Sequence, residues 1–417
     1  METLPRARMS EMLDTRWPMS ARVGGMLARL VASGAATTRP DLVKVTGLAR
    51  STVGTQVDLL LRTGILLETG GDVHAGRGRP AGRLEINPAC GCILAVDLTP
   101  HHARMAIASL NQDILAQRRI ELDIAEGPEP ILGLITTALG DMLEQQGLRG
   151  GDVRVVVMSV PGPVDIHRGR PVRPPIMPGW DEYPVTEALT AAFGCPALLD
   201  NDVNLMALGE ARCLPPDQSP LLFIKIGTGI GGGLVTADGQ LHHGADGAAL
   251  DIGHLRIVGA QDVMCTCGNI GCVEATSSVA AITRDLRQIT GDPSVTAADL
   301  ERLVRSGDAM ATRLVREAAA RIGEVVAALV HICNPARIAI GSPLTSASDD
   351  ILAGVRSVVY QRALPLATRN LTLAHSVAGA GAGIIGGIIL GAEHVLSPGG
   401  LDALVRRSRA TRTSPGR

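Results

Sequence analysis

The sequence predicts an α/β protein headed by a small, mainly helical domain, and three observations carry that prediction. Apolar residues recur at helical spacing up to about residue 61, then give way after Asn87-Pro88 to alternating strand and helix patterns. The chain has 417 residues, too many for one hydrophobic core, so two or three domains are expected. Its 46% hydrophobic and 19% charged residues are those of a folded globular chain.

Val23, Met26, Leu27, Leu30 and Val31 line one face of a helix that stops near Ser33-Gly34. A short second helix follows Thr38 and breaks at Gly47. A third opens at Arg50-Ser51-Thr52-Val53, buries Val53, Val57, Leu60 and Leu61, and stops at Gly64. Two short strands, Ile65–Glu68 and Leu84–Ile86, flank a Gly/Arg-rich loop. Together these read as a winged helix-turn-helix over 21–86, preceded by a flexible arm over 1–20.

In the body, Cys92–Val96 and Met105–Ser109 resemble a hairpin, 131–145 an amphipathic helix and Val153–Val160 a buried strand. A second series begins near Leu198, with strands around Leu221–Ile226 and Gly232–Thr236. The apolar run Val377–Ala392 is rich in Gly and Ala, short for a membrane span, and reads as a closely packed buried helix. No N-terminal stretch has signal-peptide character, which predicts a cytoplasmic protein with no membrane partner.

Charge and side-chain chemistry point the head toward double-stranded DNA. Residues 1–83 hold 12 Lys/Arg and 7 Asp/Glu, a net +5, so the remainder carries −7. A helix-turn-helix lays its second helix in the major groove, and Arg50, Ser51, Thr52, Thr55 and Gln56 stand at or near that helix's start. Arg and Gln can read guanine and adenine edges, while Ser and Thr hold phosphates. Arg77-Gly78-Arg79-Pro80 suits a narrow minor groove, where a flat glycine backbone lets Arg77 and Arg79 enter negative potential. An ordinary three-helix domain with a solvated polar face, and an Arg-rich linker, are the blander alternatives. Six aromatics are too few for single-strand stacking platforms.

His254 with Cys265, Cys267 and Cys272 is the sharpest signal. One imidazole and three thiolates make a closed tetrahedral set, the usual makeup of one structural zinc per chain. Four protein ligands leave no open position for catalysis.

These residues also carry a family resemblance. Leu250-Asp251-Ile252-Gly253-His254, followed by the cysteine run ending at Glu274, resembles the signature of the ROK family (repressors, open reading frames and kinases). So do Ser159–Asp165, Asp200-Asn201-Asp202-Val203-Asn204 with Gly209-Glu210, and Gly227–Gly233. The resemblance runs from about residue 21 to 395, and a winged helix with a Gly-Arg-Pro wing marks the repressor branch. It implies an actin/hexokinase-like (ribonuclease H-like) sugar-kinase fold of two α/β lobes. The first lobe is expected over 87–200, completed by a helix at about 380–400, and the second, with the zinc site, over 201–380. It further implies that Asn201, Asp202, Asp251, His254 and Glu274 contact a sugar or sugar derivative, with Asp202 at the catalytic-base position. Taken alone, without its companion motifs, Asp202 reads rather as a carboxylate placed at a helix N-terminus.

Departures from the family pattern argue against catalysis. Active members carry a glycine-rich phosphate loop where this chain reads Asp97-Leu98-Thr99-Pro100-His101-His102. Proline removes an N–H, and two imidazoles fill the space a phosphate needs. Gly227, Thr228, Gly229 and Gly231 remain as a residual phosphate loop, though glycines also serve tight turns. Gly341-Ser342-Pro343 replaces a Gly-Gly, Asp251 stands for the usual Glu, and Ile176 falls where an Asn often contacts sugar. The expectation is a sugar-responsive DNA-binding regulator, more often a repressor, that is not an enzyme and acts as a homodimer or dimer of dimers. An ATP-dependent sugar kinase and a ligand-blind dimeric regulator are the alternatives. Residues 401–417 read as a disordered basic tail.

Overall fold

Pro18 holds extended backbone and opens α1 (Met19–Ala32), which buries Val23, Met26, Leu27, Leu30 and Val31. The computed structural model describes residues 17–70, 82–260 and 262–413. Thr38 caps α2 (Arg39–Thr46) by accepting from the Asp41 amide, and Gly47 ends it in the left-handed region. After a three-residue turn comes α3 (Arg50–Arg62), and then β1 (Leu66–Thr69) pairs antiparallel with β2 (Arg83–Ile86). The Arg77-Gly78-Arg79-Pro80 segment lies outside the described residues.

The first lobe contains β3 (Cys92–Leu98), β4 (His102–Ser109), β5 (Ile114–Glu121), α4 (Pro128–Gln145), β6 (Val153–Val160), β7 (Val164–Asp165), β8 (Arg170–Pro171), α5 (Val185–Phe193) and β9 (Ala197–Asn201). Its sheet runs β5-β4-β3-β6-β9. The β3–β4–β5 pairs are antiparallel and the β3–β6–β9 pairs parallel. All seven residues of β3 are buried because both sheet faces are covered. Leu94 and Val96 pack toward Ile131 and Leu139 of α4, while Ile93 and Ala95 face the other way.

The chain then crosses on α6 (Asp202–Arg212) into the second lobe. There follow β10 (Leu221–Ile226), β11 (Ile230–Val235), α7 (Val273–Ser277), α8 (Val279–Thr290), α9 (Ala297–Arg305), α10 (Ala309–Cys333), β12 (Arg337–Gly341), α11 (Asp350–Arg362), α12 (Pro365–Thr368) and β13 (Thr372–His375). This sheet runs β11-β10-β12-β13, with β11 alone antiparallel to its neighbour. The return crossing is α13 (Ala382–Val395), whose Ile384, Ile388 and Ala392 join the outer face of the first sheet.

The two crossing helices touch backbone to backbone. A Cβ at Gly386 would lie 1.9 Å from the Leu205 carbonyl oxygen, and one at Gly209 would lie 2.0 Å from that of Ala382. Gly386→Ala is therefore expected to push α6 and α13 apart and to cost at least about 1–3 kcal/mol in urea unfolding. An unchanged midpoint would contradict this packing. Next to the contact, the fully buried Glu210 carboxylate accepts from Ser376 Oγ at 2.7 Å and from the Val377 and Ala378 amides at 2.9 and 3.0 Å. It ties the crossing helix to the segment that leads back.

The reading of 401–417 as a disordered tail is corrected for its greater part: α14 (Pro398–Thr413) is a helix. Leu401 and Leu404 are buried, with Val405 packed beside them, so three apolar residues at helical spacing anchor an otherwise basic segment. They join a core that also holds Leu27, Leu30 and Val57 of the head, and Arg29 Nη1 donates to the Leu396 carbonyl at 3.0 Å. Among the described residues no single helix is long and apolar enough to cross a membrane.

Candidate ligand cleft and metal centre

Both lobes line a cleft of about 590 Å³, inside the range of small-molecule sites. The first lobe supplies Thr99–His102, Pro161–Pro163 and Ile176, and the second supplies Lys225, Gly227–Gly232, Asp251, His254 and Glu274. Asn201 and Asp202 sit between them, where β9 ends and α6 begins.

Local structure commits several of these side chains. Asn201 is the N-cap of α6, accepting from the Val203 amide at 2.8 Å and donating from Nδ2 to the Gly162 carbonyl at 2.9 Å. Asp202 is buried at the first turn, and its Oδ2 contacts Lys225 Nζ in an ion pair. Burial alone would lower the Lys225 pKa, but Asp202, and more weakly Asp97 and Glu274, raise it above the usual amine value. Asp97, next to last in β3, accepts from Ser159 Oγ at 2.8 Å, and burial pushes its pKa upward. Lys225 was missed in the sequence. Its signal is there: it is one of two lysines in the chain, set in the otherwise apolar run Leu221–Ile226.

Glu274, in the first turn of α7, accepts the Ile230 amide at 2.9 Å and so pins the start of β11. Leu250 has φ 67°, a strained position for a branched residue, and its carbonyl receives the Gly232 and Ile252 amides. Asp251 is exposed at the cleft. Of the glycine loop, Gly227 and Gly229 form the turn between β10 and β11, with the Gly227 amide on the Gly229 carbonyl at 2.9 Å. Gly231 lies in β11, where a Cβ would come within 2.7 Å of Val203, so its smallness serves strand–helix packing.

The Thr99–His102 turn is closed on itself. The Thr99 amide donates to the His102 carbonyl at 2.9 Å, and the His102 amide donates to Thr99 Oγ1 at 3.1 Å. Pro100 has no amide to offer. Burial, with Arg119 and Arg104 nearby, lowers the His102 pKa and favours a neutral ring.

The four metal-type ligands converge, with all their ligand atoms within 4.8 Å of one another. His254 Nδ1 is 3.6 Å from Cys265 Sγ, and Cys267 and Cys272 sulfurs are 3.8 Å apart. Bonds of about 2.3 Å to sulfur give tetrahedral edges of about 3.8 Å, so the cluster has the dimensions of a tetrahedral metal site. Burial, with Cys267 and Cys265 beside it, pushes the Cys272 thiol up to about 12. Nδ1 faces the thiols, while His254 Nε2 lies 3.9 Å from Asp251 Oδ1 at the cleft wall.

A second link between the lobes involves His243, whose Nε2 lies 2.7 Å from Asp200 Oδ2. The hydrogen bond to Asp200 raises the His243 pKa although burial opposes it. Its contribution is complete below the unfolded imidazole value of about 6.5 and is lost as pH rises through the higher folded value. Urea stability should show that falling component with rising pH, and His243→Asn should remove it. A slope unaltered in the variant would refute the link.

In the head, Arg50, Ser51, Thr52 and Thr55 are exposed along the start of α3. Gln56 is the exception and corrects the reading that grouped it with them. It falls on the inner face with Val53, Val57 and Leu60, packed toward Gly24 of α1.

The family model described as ROK family matches residues 93–394. A putative xylose repressor of Caldicellulosiruptor sp. is 28% identical over 343 residues, covering 78% of this chain and 84% of that protein. A glucokinase of Halalkalibacterium halodurans is 28% identical over 313 residues, covering 70% of this chain and 93% of its own length. Among solved structures, a ROK family transcriptional regulator described as a homologue of the E. coli MLC protein shares the fold. Its TM-score is 0.75 at 23% identity, and the match covers 93% of this chain and 99% of that one.

Proposed function

The chain belongs to the ROK family, and from that premise we propose that it is a sugar-responsive transcriptional repressor of carbohydrate genes rather than a kinase. The observation that carries this reading is the pairing of a DNA-reading head with a phosphate turn spent on its own hydrogen bonds. The relative named as a glucokinase matches 70% of the chain, whereas the one named as a putative xylose repressor matches 78%.

In this reading Arg50, Ser51, Thr52 and Thr55 meet the major groove, Arg77 and Arg79 the minor groove, and a homodimer places two heads on one operator. The work is cytoplasmic because the DNA is. The ligand is a sugar or sugar derivative held by Asn201, Asp202, Asp251, His254 and Glu274. The metal is zinc, one per chain, held by His254, Cys265, Cys267 and Cys272; its chemistry here is to fix the loop and orient His254. Ligand binding shifts the DNA affinity only by its differential affinity for two arrangements of the heads.

Fluorescence anisotropy on duplex DNA from the protein's own upstream region, titrated with sugars with and without ATP, tests the reading. A sugar that changes affinity without ATP consumption supports it; ATP turnover without DNA binding replaces it with the kinase, which the retained Gly227–Gly229 turn favours. Arg50→Ala should weaken DNA binding and, if Arg50 meets a phosphate, lower the salt slope by about 1. Identical salt titrations for the two proteins would remove Arg50 from the interface.

A further inference from the structure

Lys225 stands where nothing in the phosphate-turn argument requires a cation. Every other residue of β10 is buried, and only Lys225 reaches the cleft. Its ammonium contacts the buried Asp202, and Asp97 and Glu274 lie close enough to hold its charge. Lysine suits this place better than arginine, the chain's usual cation, because an ammonium is compact and turns its three donors freely.

We propose that Lys225 and Asp202 form one donor–acceptor clamp on a single hydroxyl of an uncharged polyhydroxylated ligand, and that Lys225 thereby sets specificity and keeps the ligand unreacted. The proposal rests on the reading of the cleft as a sugar site. A hydroxyl can donate its hydrogen to the Asp202 carboxylate while its oxygen accepts from the Lys225 ammonium. Taking that proton would leave neutral Asp202 beside a cation and abolish the ion pair, so the hydroxyl remains protonated. Two cations, Lys225 and Arg284, against Asp202, Asp251 and Glu274 leave the pocket lining negative, which disfavours sugar acids. A ligand lacking the clamped hydroxyl would leave the buried Asp202 carboxylate and the part-buried Lys225 ammonium without their third partner.

The test is calorimetry on the full chain with D-glucose, D-xylose, the 2-, 3- and 6-deoxyglucoses and D-glucuronate. The unaltered protein, Lys225→Met, Lys225→Arg, Asp202→Asn and the double variant Asp202→Asn/Lys225→Met are compared. One deoxy sugar should bind the unaltered protein about tenfold or more weaker than its parent, and glucuronate likewise. Lys225→Met should weaken the parent sugar by about tenfold and erase most of the deoxy penalty, Lys225→Arg restoring part of both. The double variant should bind no worse than the weaker single variant, because the two groups act together. If Lys225→Met alone fails to fold, the double variant against Asp202→Asn still decides, since both charges are gone. Equal sugar affinity with and without Lys225, or strictly multiplicative losses, overturns the clamp and leaves the sugar site standing. No binding of any sugar by the unaltered protein overturns both.

Discussion

Exchange of Cys265 and Cys267 for serine is expected to reduce bound metal from about one zinc per chain to none and to unfold the second lobe's cleft wall. Apparent zinc-binding energies of about 10–16 kcal/mol in small Cys/His sites become folding energy when the site exists only in the folded chain. The route of damage is short. Cys272 leads directly into α7, two residues on Glu274 holds the Ile230 amide, and the Val273 amide donates to the Leu255 carbonyl at 3.0 Å. Losing the cluster therefore frees the glycine turn as well as the metal loop. Metal analysis, thermal unfolding and chelator titration should move together. A purified chain that is metal-free yet melts unchanged would refute the site.

Glu210→Ala should cost about 3–5 kcal/mol, because several hydrogen-bond donors lose a shared acceptor at about 1–3 kcal/mol each. The donors left behind are Ser376 Oγ and the Val377 and Ala378 amides. Glu210→Gln should cost less, because an amide oxygen still accepts from part of the set. Equilibrium urea unfolding measures both. Equal stability of the alanine variant and the unaltered protein would show that the return segment does not depend on this carboxylate.

Much of the fold was legible because its period is local. The α1 face, the Thr38 cap and the Gly47 stop all follow from spacing and turn chemistry within a dozen residues, and β1 and β2 from short apolar runs on either side of a Gly/Arg-rich stretch. The His254–Cys272 cluster was legible because three ligands fall within eight residues, at Cys265–Cys272. What escaped depends on distant partners. Gln56 looked like a base reader until α1 packed beside it and turned its position inward. The basic composition of 401–417 concealed Leu401 and Leu404, whose burial needs α1 and α13. Lys225 went unread in its apolar strand, since the carboxylate it meets is 23 positions earlier at Asp202. Sequence pattern reports which face of an element is apolar, but not what stands opposite it.

The seating of Leu401 and Pro398 against Gly24 and Gly25 of α1 has a consequence for biosynthesis. A ribosome releases α1 early and α14 late, and at about 5–20 residues per second the interval is on the order of tens of seconds. Through that interval the face of α1 around Gly24 and Gly25 lacks the cover that Pro398 and Leu401 later give it. A prematurely terminated chain thus carries a sticky, incomplete head instead of a competent free reader that would occupy operators without answering to any ligand. Nascent chains of this protein should depend on chaperone cover until α14 has left the ribosome, and operator occupancy should begin only after it has.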